Sequence, residues 1–438
     1  MVLDLNRITH PDFLSVLNAI FLHNYLNESM HNNWKKDITL FLLSQNISLF
    51  GSALVQYAMM WYVVLETQSG IMMTIYIISG FVPTFFLSPF AGVWADRYSR
   101  KLLIIWADAG IAIATLILAL IFLSGHVAIW LIFVAAAIRA FGSAVHTPAV
   151  NAFIPQIVPE DKLIKINATN SSIQSVVFLI SPMISAALLT FSSIENIFFI
   201  DVVTAAIAIF ILINFLHVPD HSKAVNKQFT GYFKDLHEGL IYIKNHEFVK
   251  LFFLFCAVFF FLVSPVAFLT PLQVTRSFGN DVWRLTAIEV AFSGGMAAGG
   301  AIIASWGGFK NKVHTMIFSM FTFGACTFAL GVIPNFWVYL GFMGILGIAL
   351  PAFNTPSTTL VQQKVETDFL GRVFGVYGMI SSSMMPLGIL LFGPVADAIR
   401  IELLLIGTGT LLLALSCIMY YSKTLVSAGA PVSIDGTA

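Results

Sequence analysis

Gly92-Val93-Trp94-Ala95-Asp96-Arg97-Tyr98-Ser99-Arg100-Lys101 packs one carboxylate and three cations between two long apolar stretches, 71–93 and 102–123. A charged side chain at the centre of a bilayer costs roughly 2.5–3.5 kcal/mol, so such clusters belong in the water that joins two membrane crossings. Each flank reaches the roughly 20 residues that a crossing requires. The same pattern, apolar run against charged or turn-forming joint, repeats along the whole chain. It gives twelve spans, near 38–65, 71–93, 102–123, 128–149, 166–190, 196–217, 249–274, 285–306, 314–333, 336–358, 373–398 and 402–422. Backbone polar groups in lipid must be satisfied within the segment, so runs of this length are helices. Gly92 is expected to end the second span, and Thr147-Pro148 the fourth.

Composition agrees with that reading. Of 438 residues, 58% are hydrophobic and 10% charged, against about 25% charged in soluble domains, which excludes a soluble globular protein. Lys+Arg and Asp+Glu both number 22, and a chain of zero net charge offers no basic surface for nucleic acid. The distribution carries the information instead. With a cytoplasmic N-terminus, eighteen of the 22 cations fall on cytoplasmic segments, Arg276, Arg284 and Arg400 fall on outer loops, and Arg139 lies inside a span. This excess predicts a multi-pass protein of a bacterial-type cell membrane with both termini cytoplasmic.

The chain divides into a cytoplasmic tail (1–37), a six-helix half (38–217), a cytoplasmic linker (218–248), a second six-helix half (249–422) and a tail (423–438). Within the linker, Phe233, Leu236, Leu240 and Ile243 recur at helical spacing beside Lys234, Asp235, Glu238 and Lys244, as in an amphipathic helix at the inner surface. The halves echo each other. His146-Thr147-Pro148 corresponds to Asn354-Thr355-Pro356, and Gln156, Val158, Asp161, Leu163 and Lys165 correspond to Gln363, Val365, Asp368, Leu370 and Arg372. Repeated halves are an architecture of secondary transporters, with substrate bound between them near the midplane.

Few residues are available for chemistry. Cys256, Cys326 and Cys417 stand singly in apolar runs and read as packing residues. No G-x-x-x-x-G-K-[ST] loop is present, which argues against a self-contained ATP-driven pump. The ten His show no ligand spacing with Asp, Glu or Cys; His146, the one clearly inside a span, adjoins an expected helix end. No cofactor or metal is expected, and the chain reads as a transporter rather than an enzyme, with a membrane-embedded enzyme or sensor as a remote alternative. Partners are a small-molecule substrate, protons and the lipid bilayer, and the expected state is a monomer.

Arg139 is the one cation buried in a span, about 16 Å from Ala128 at 1.5 Å per residue, hence near the midplane. An intramembrane ionisable group is a functional candidate, and it needs a partner. The span-embedded carboxylates are Asp108, Asp201, Glu289 and Asp397, the last near the outer end where water can reach it. Glu289 shares a helical face with Ser293, Met296 and Gly300, a polar and small-residue stripe suited to face protein. A carboxyl group held away from water takes up a proton more readily. Glu289 is therefore the first candidate for proton coupling and Asp201 the second, against the plainer alternative that each ties helices together. Gln45, Ser52 and Gln56 on the first span, and Asn167, Ser171, Gln174, Ser181 and Ser185 on the fifth, form uncharged polar stripes that line a cavity or bond between helices. Pro182, Pro265, Pro271 and Pro386 are placed to kink spans. The 41 Phe, several in the seventh span at Phe259, Phe260 and Phe261, suit hydrophobic or amphiphilic compounds better than sugars or phosphates.

The 92–101 loop resembles the G-x-x-x-D-R-x-G-R-K loop of the major facilitator superfamily, with Ser99 in place of the second Gly. The resemblance implies twelve helices in two halves and a conformational latch formed by Gly92, Asp96, Arg97 and Arg100. The matching second-half stretch, Trp306-Gly307-Gly308-Phe309-Lys310-Asn311-Lys312, has no Asp, so the latch is asymmetric. Arg139 with Gly142 resembles the family's R-x-x-G motif of proton-coupled members. Asn32-Asn33-Trp34-Lys35, the stretch from Ser143 to Glu160, Ser181-Pro182, Ile200-Asp201-Val202, Glu238-Gly239, Ile288-Glu289 with Ser293 to Met296, and Leu370 to Phe374 are similar to the macrolide-efflux branch of drug:proton antiporters. The G-P-x-x-G-G of many drug antiporters is missing around Pro182, where Ser181, Ser185, Ala186 and Ala187 stand. The resemblance implies proton-coupled export of hydrophobic or amphiphilic compounds by alternating access, with a native metabolite such as a siderophore as the alternative cargo.

Overall fold

A computed structural model describes residues 11–216, 218, 230–366 and 369–430, with side chains from Trp34 onward except Pro89 and 230–236. Lys223, Lys227 and Asp368, and the linker side chains Phe233, Lys234, Asp235 and Leu236, lie outside what is described. Among the described residues every regular element is helical: α1 (Pro11–Thr67), α2 (Gly70–Arg97), α3 (Arg100–Leu123), α4 (Ile129–Ile157), α5 (Leu163–Phe191), α6 (Ile194–Phe215), α7 (Thr230–Asn245), α8 (Glu247–Phe268), α9 (Thr270–Phe278), α10 (Val282–Trp306), α11 (Lys312–Leu330), α12 (Phe336–Lys364), α13 (Leu370–Ala398), α14 (Ile401–Tyr421) and α15 (Lys423–Ala428). Twelve segments are long and apolar enough to cross a membrane, with Trp34–Thr67 the crossing part of α1 and Glu247–Phe278, α8 with α9, the seventh.

Helix ends follow local chemistry. The Asn335 side chain accepts from the Trp337 N–H at 2.9 Å and starts α12; Asn311 does the same for Val313 and α11. Gly307 closes α10 in the left-handed region, φ 75°, which glycine adopts without steric cost. The seventh span breaks at Leu269, between Pro265 and Pro271. Two expected ends are corrected. Gly92 does not stop α2, which runs on to Arg97, and Thr147-Pro148 does not stop α4, which continues through Pro148 and Pro155 to Ile157. A glycine costs a helix only about 1 kcal/mol, and a proline in a membrane helix is tolerated where neighbours and small adjustments re-satisfy the freed carbonyl. In the linker helix Leu240 is exposed, whereas Tyr242 and Ile243 are buried against α8 and α13. Tyr242 stacks on Phe369 with ring centroids 4.7 Å apart, and Glu238 pairs with Arg372 at 3.2 Å.

The helices form two six-helix halves, each with the same pairings. In the first half α1 packs on α5 and α6, α2 on α4, and α3 on α4 and α6; in the second α8 packs on α13 and α14, α10 on α12, and α11 on α12 and α14. The halves meet through α2 with α13 and α5 with α10, which exchange under the same correspondence. Helices α4 and α12 are each 29 residues long and start 207 positions apart, at Ile129 and Phe336; α5 and α13 repeat both the length and the spacing. The two cores differ. The second half has one continuous cluster, with Phe259 stacked on Phe353 at 4.1 Å and edge-on to Phe323. The first half has two clusters, one around Leu54, Phe122 and Phe198 and one around Phe41, Phe153 and Ile154. Between them lies a layer of buried polar groups. Below, the basic face is the end bearing the 92–101 loop and the far face is the opposite end.

Candidate functional site

The polar layer centres on Arg139. Gly142, one turn on, lets α4 approach α3 closely: a Cβ there would stand 2.6 Å from Ile111 Cγ1. The Arg139 guanidinium donates to Asp201 of α6 and Thr115 of α3, and to the Ser52 carbonyl of α1 at 3.1 Å. Asp201, fully buried, also accepts from Ser52 Oγ at 3.0 Å and Thr115 Oγ1 at 3.0 Å. Four helices thus share one ion pair with both charges bonded. Asp201 is Arg139's partner, an assignment that the sequence left open among four carboxylates. Two charges so engaged are costly to separate, because removing either leaves the other buried and uncompensated.

One to two turns nearer the basic face lies a second polar group. Asp108 is seven residues before Thr115 on α3, and His146 seven after Arg139 on α4, so each falls on the same face as its partner in the first layer. His146 Nε2 stands 3.5 Å from Asp108 Oδ1, which accepts from Ser48 Oγ at 3.1 Å. His146 is therefore a mid-helix residue facing a carboxylate, and not a helix-end residue. The i, i+7 spacings were visible in the sequence; that the two faces meet was not.

The expected cavity residues divide. Ser52 belongs to the Arg139 centre. Gln45 is buried, with Nε2 3.4 Å from Ser44 Oγ. Gln56 is exposed and Gln174 half-buried, while on α5 Ser181 and Ser185 are buried, Ser185 donating to the Leu54 carbonyl at 3.0 Å. Phe259 and Phe260 are buried in the second-half core, so they do not wall a cavity. Glu289 is half-buried on α10 and lies within electrostatic reach of Tyr57 on α1, across the junction of the halves. The packed face of α10 is Leu285, Ile288, Gly295, Gly299 and Ile303, so the Glu289 stripe is turned away from α12.

At the basic face, Arg100 donates from Nε to the Ala95 carbonyl at 3.1 Å and from Nη1 to the Ala152 carbonyl at 2.9 Å, tying the loop to α4 within its own half. Asp96 is half-buried, Arg97 and Gly92 exposed. The far face holds a bridge that the sequence did not announce. Asp397, expected to be solvated, caps α2: it accepts from Gly70 N at 2.7 Å, Ile71 N at 2.9 Å and Ser69 Oγ at 2.7 Å, and pairs with Arg276 at 2.7 Å. Arg276 also donates to the carbonyls of Gln68 and Ala396, and Gln68 Nε2 donates to Asn280 at 2.9 Å. A carboxylate from the second half thus sits on a helix N-terminus of the first, where orphan N–H groups and the helix dipole favour negative charge.

The chain is similar to known proteins over most of its length. Macrolide efflux protein A of Streptococcus pyogenes is 29% identical over 390 residues, covering 89% of this chain and 96% of that protein. Macrolide efflux protein A of Enterococcus faecalis is 29% identical over 312 residues, covering 71% of this chain and 96% of that one. Among solved structures, nucleoside transporter NupG superposes with a TM-score of 0.66 at 15% identity, over 89% of this chain and all of that one. The family model of the Major Facilitator Superfamily matches residues 38–389, so the chain belongs to that superfamily of multi-pass membrane transporters.

Proposed function

We propose that this transporter exports hydrophobic or amphiphilic compounds of the macrolide type from the cytoplasm in exchange for protons, by alternating access between its two halves. The cation excess supports a cytoplasmic basic face with both termini on that side. The far face opens outward. Glu289 carries this reading: among the described residues it makes no hydrogen bond or ion pair, yet it stands at the junction of the halves opposite Tyr57. An acid so placed can change its protonation as the junction opens and closes, whereas Asp201 is held by Arg139, Thr115 and Ser52 and serves to position α1, α3, α4 and α6. Glu289 is the proton-coupling acid. Gln56 and Gln174 line the cargo path, with Gln45 and Ser52 behind it, and Gly92, Asp96, Arg97 and Arg100 latch the basic face when it closes. Partial relatedness to macrolide efflux proteins supports the cargo class.

The test is uptake of a radiolabelled macrolide into inside-out vesicles with an imposed proton gradient. Accumulation that collapses with an uncoupler, and is lost in Glu289→Gln while exchange of preloaded macrolide persists, is the expected result. Accumulation in Glu289→Gln equal to wild type removes Glu289 from the mechanism. No macrolide movement, together with loss of a secreted metabolite such as a siderophore in a deletion strain, replaces the cargo class.

A further inference from the structure

We propose that Asp108 and His146 form a second proton-binding site, in the first half, distinct from both Glu289 and the Arg139–Asp201 pair. The two side chains come from α3 and α4, with His146 Nε2 3.5 Å from Asp108 Oδ1. That is ion-pair distance but outside hydrogen-bond geometry, and Asp108 Oδ2 and His146 Nε2 are both buried without a hydrogen-bond partner. The Asp108 side chain is 4% exposed and that of His146 22%. The only hydrogen bond described to Asp108 comes from Ser48 Oγ, which a carboxylate accepts in either state of the imidazole. With the neutral ring's proton on Nδ1 the pair has no donor between its two groups: a proton taken from water onto Nε2 turns imidazole into imidazolium and supplies that donor to the carboxylate, and its release restores the neutral ring.

The electrostatic surroundings leave that proton to decide the local charge. On α4 the only other charged group is Arg139, about 10 Å further from the basic face, and it is neutralised by Asp201 of α6. Neither α1 between Asp37 and Glu66, nor α2 between Gly70 and Ala95, nor α3 beyond Lys101 apart from Asp108 itself, nor α5 beyond Lys165 brings a charge; on α6 only Glu195 and Asp201 are charged. The two layers are thus a closed pair, Arg139 with Asp201, and an open one, Asp108 with His146, stacked on the same helix faces. His146 lies on the basic-face side of the closed pair, and its partly exposed side chain is where a proton reaches the site.

The site binds protons with no cargo present, and its test is independent of the export reading. The full chain in lipid vesicles is titrated and its acid-minus-alkaline infrared difference spectrum recorded. The expected result is a histidine-ring component that disappears in His146→Gln and is lost or displaced along the pH axis in Asp108→Asn, while Glu289→Gln leaves it intact. Circular dichroism shows that each variant is folded; if Asp108→Asn is not, Ser48→Ala, which removes the one hydrogen bond to the carboxylate, must displace the His146 component. A spectrum of His146→Gln identical to wild type, or a His146 component that neither Asp108→Asn nor Ser48→Ala moves, overturns the proposal.

Discussion

The two halves share a scaffold and differ in what fills it. At the 207-position spacing that aligns α4 with α12 and α6 with α14, Arg139 corresponds to Leu346 and Asp201 to Thr408. Leu346 is buried in the continuous second-half core, and Thr408 bonds back to the Leu404 carbonyl of its own helix at 2.9 Å. Where the first half holds an ion pair, the second holds an aliphatic core residue and a threonine bonded to its own helix. The same helix pairings are therefore compatible with either filling. Replacing a buried ion pair by apolar residues of similar volume often costs nothing in stability, so copying the second half into the first tests whether the charges are structural.

The sharpest way to break the comparison is to remove the charge from one partner of the first-half pair alone. Arg139→Leu leaves Asp201 buried without a counter-ion and should destabilise the protein by about 3–5 kcal/mol, seen as a lower thermal midpoint in detergent or as failure to accumulate in the membrane. The double change Arg139→Leu with Asp201→Thr copies the second half and should recover most of that loss while gradient-driven transport stays abolished. A double variant no more stable than the single one would show that the charges are structural.

The bridge at the far face and the loop at the basic face form a second contrast: a carboxylate from one half on a helix start of the other at the far face, and an Arg100 that ties its loop within one half at the basic face. Asp397→Asn keeps the size but loses the charge that bonds Arg276 and the α2 N-terminus. Charge-assisted hydrogen bonds contribute roughly 1.5–3 kcal/mol when buried, and this one is partly exposed, so about 1.4 kcal/mol, a tenfold shift toward far-face opening, is expected. Spin-label distances between the far ends of α2 and α13 read it; unchanged distance distributions would reduce the bridge to a surface contact. The smallest effect is Ser52→Ala, which removes one of the hydrogen bonds to Asp201 and should cost about 1 kcal/mol, measured by chemical denaturation, with transport retained.

How far these features could be read ahead of the fold depended on their range. The twelve spans, the midplane depth of Arg139 and the tight contact at Gly142 follow from composition and spacing along single helices. Spacing along one helix also put Asp108 with Thr115 and Arg139 with His146 on common faces. It could not show which face of which helix they meet, so Asp201 stood level with Glu289 as a partner for Arg139, and Asp397 read as a solvated terminal residue. The misplaced ends at Gly92 and Pro148 have a local cause: helix breakers stop a helix in water, but in a bundle the neighbouring helices and the lack of competing water carry it through.

What the sequence by itself determined was the bilayer as solvent, the number of crossings, and the short inventory of charges that must be paired or functional, because the cost of burying charge acts residue by residue. Only the tertiary structure decided the pairing, since partners such as Arg139 and Asp201, or Asp397 and Gly70, are far apart along the chain and are brought together by helix packing that no local periodicity encodes.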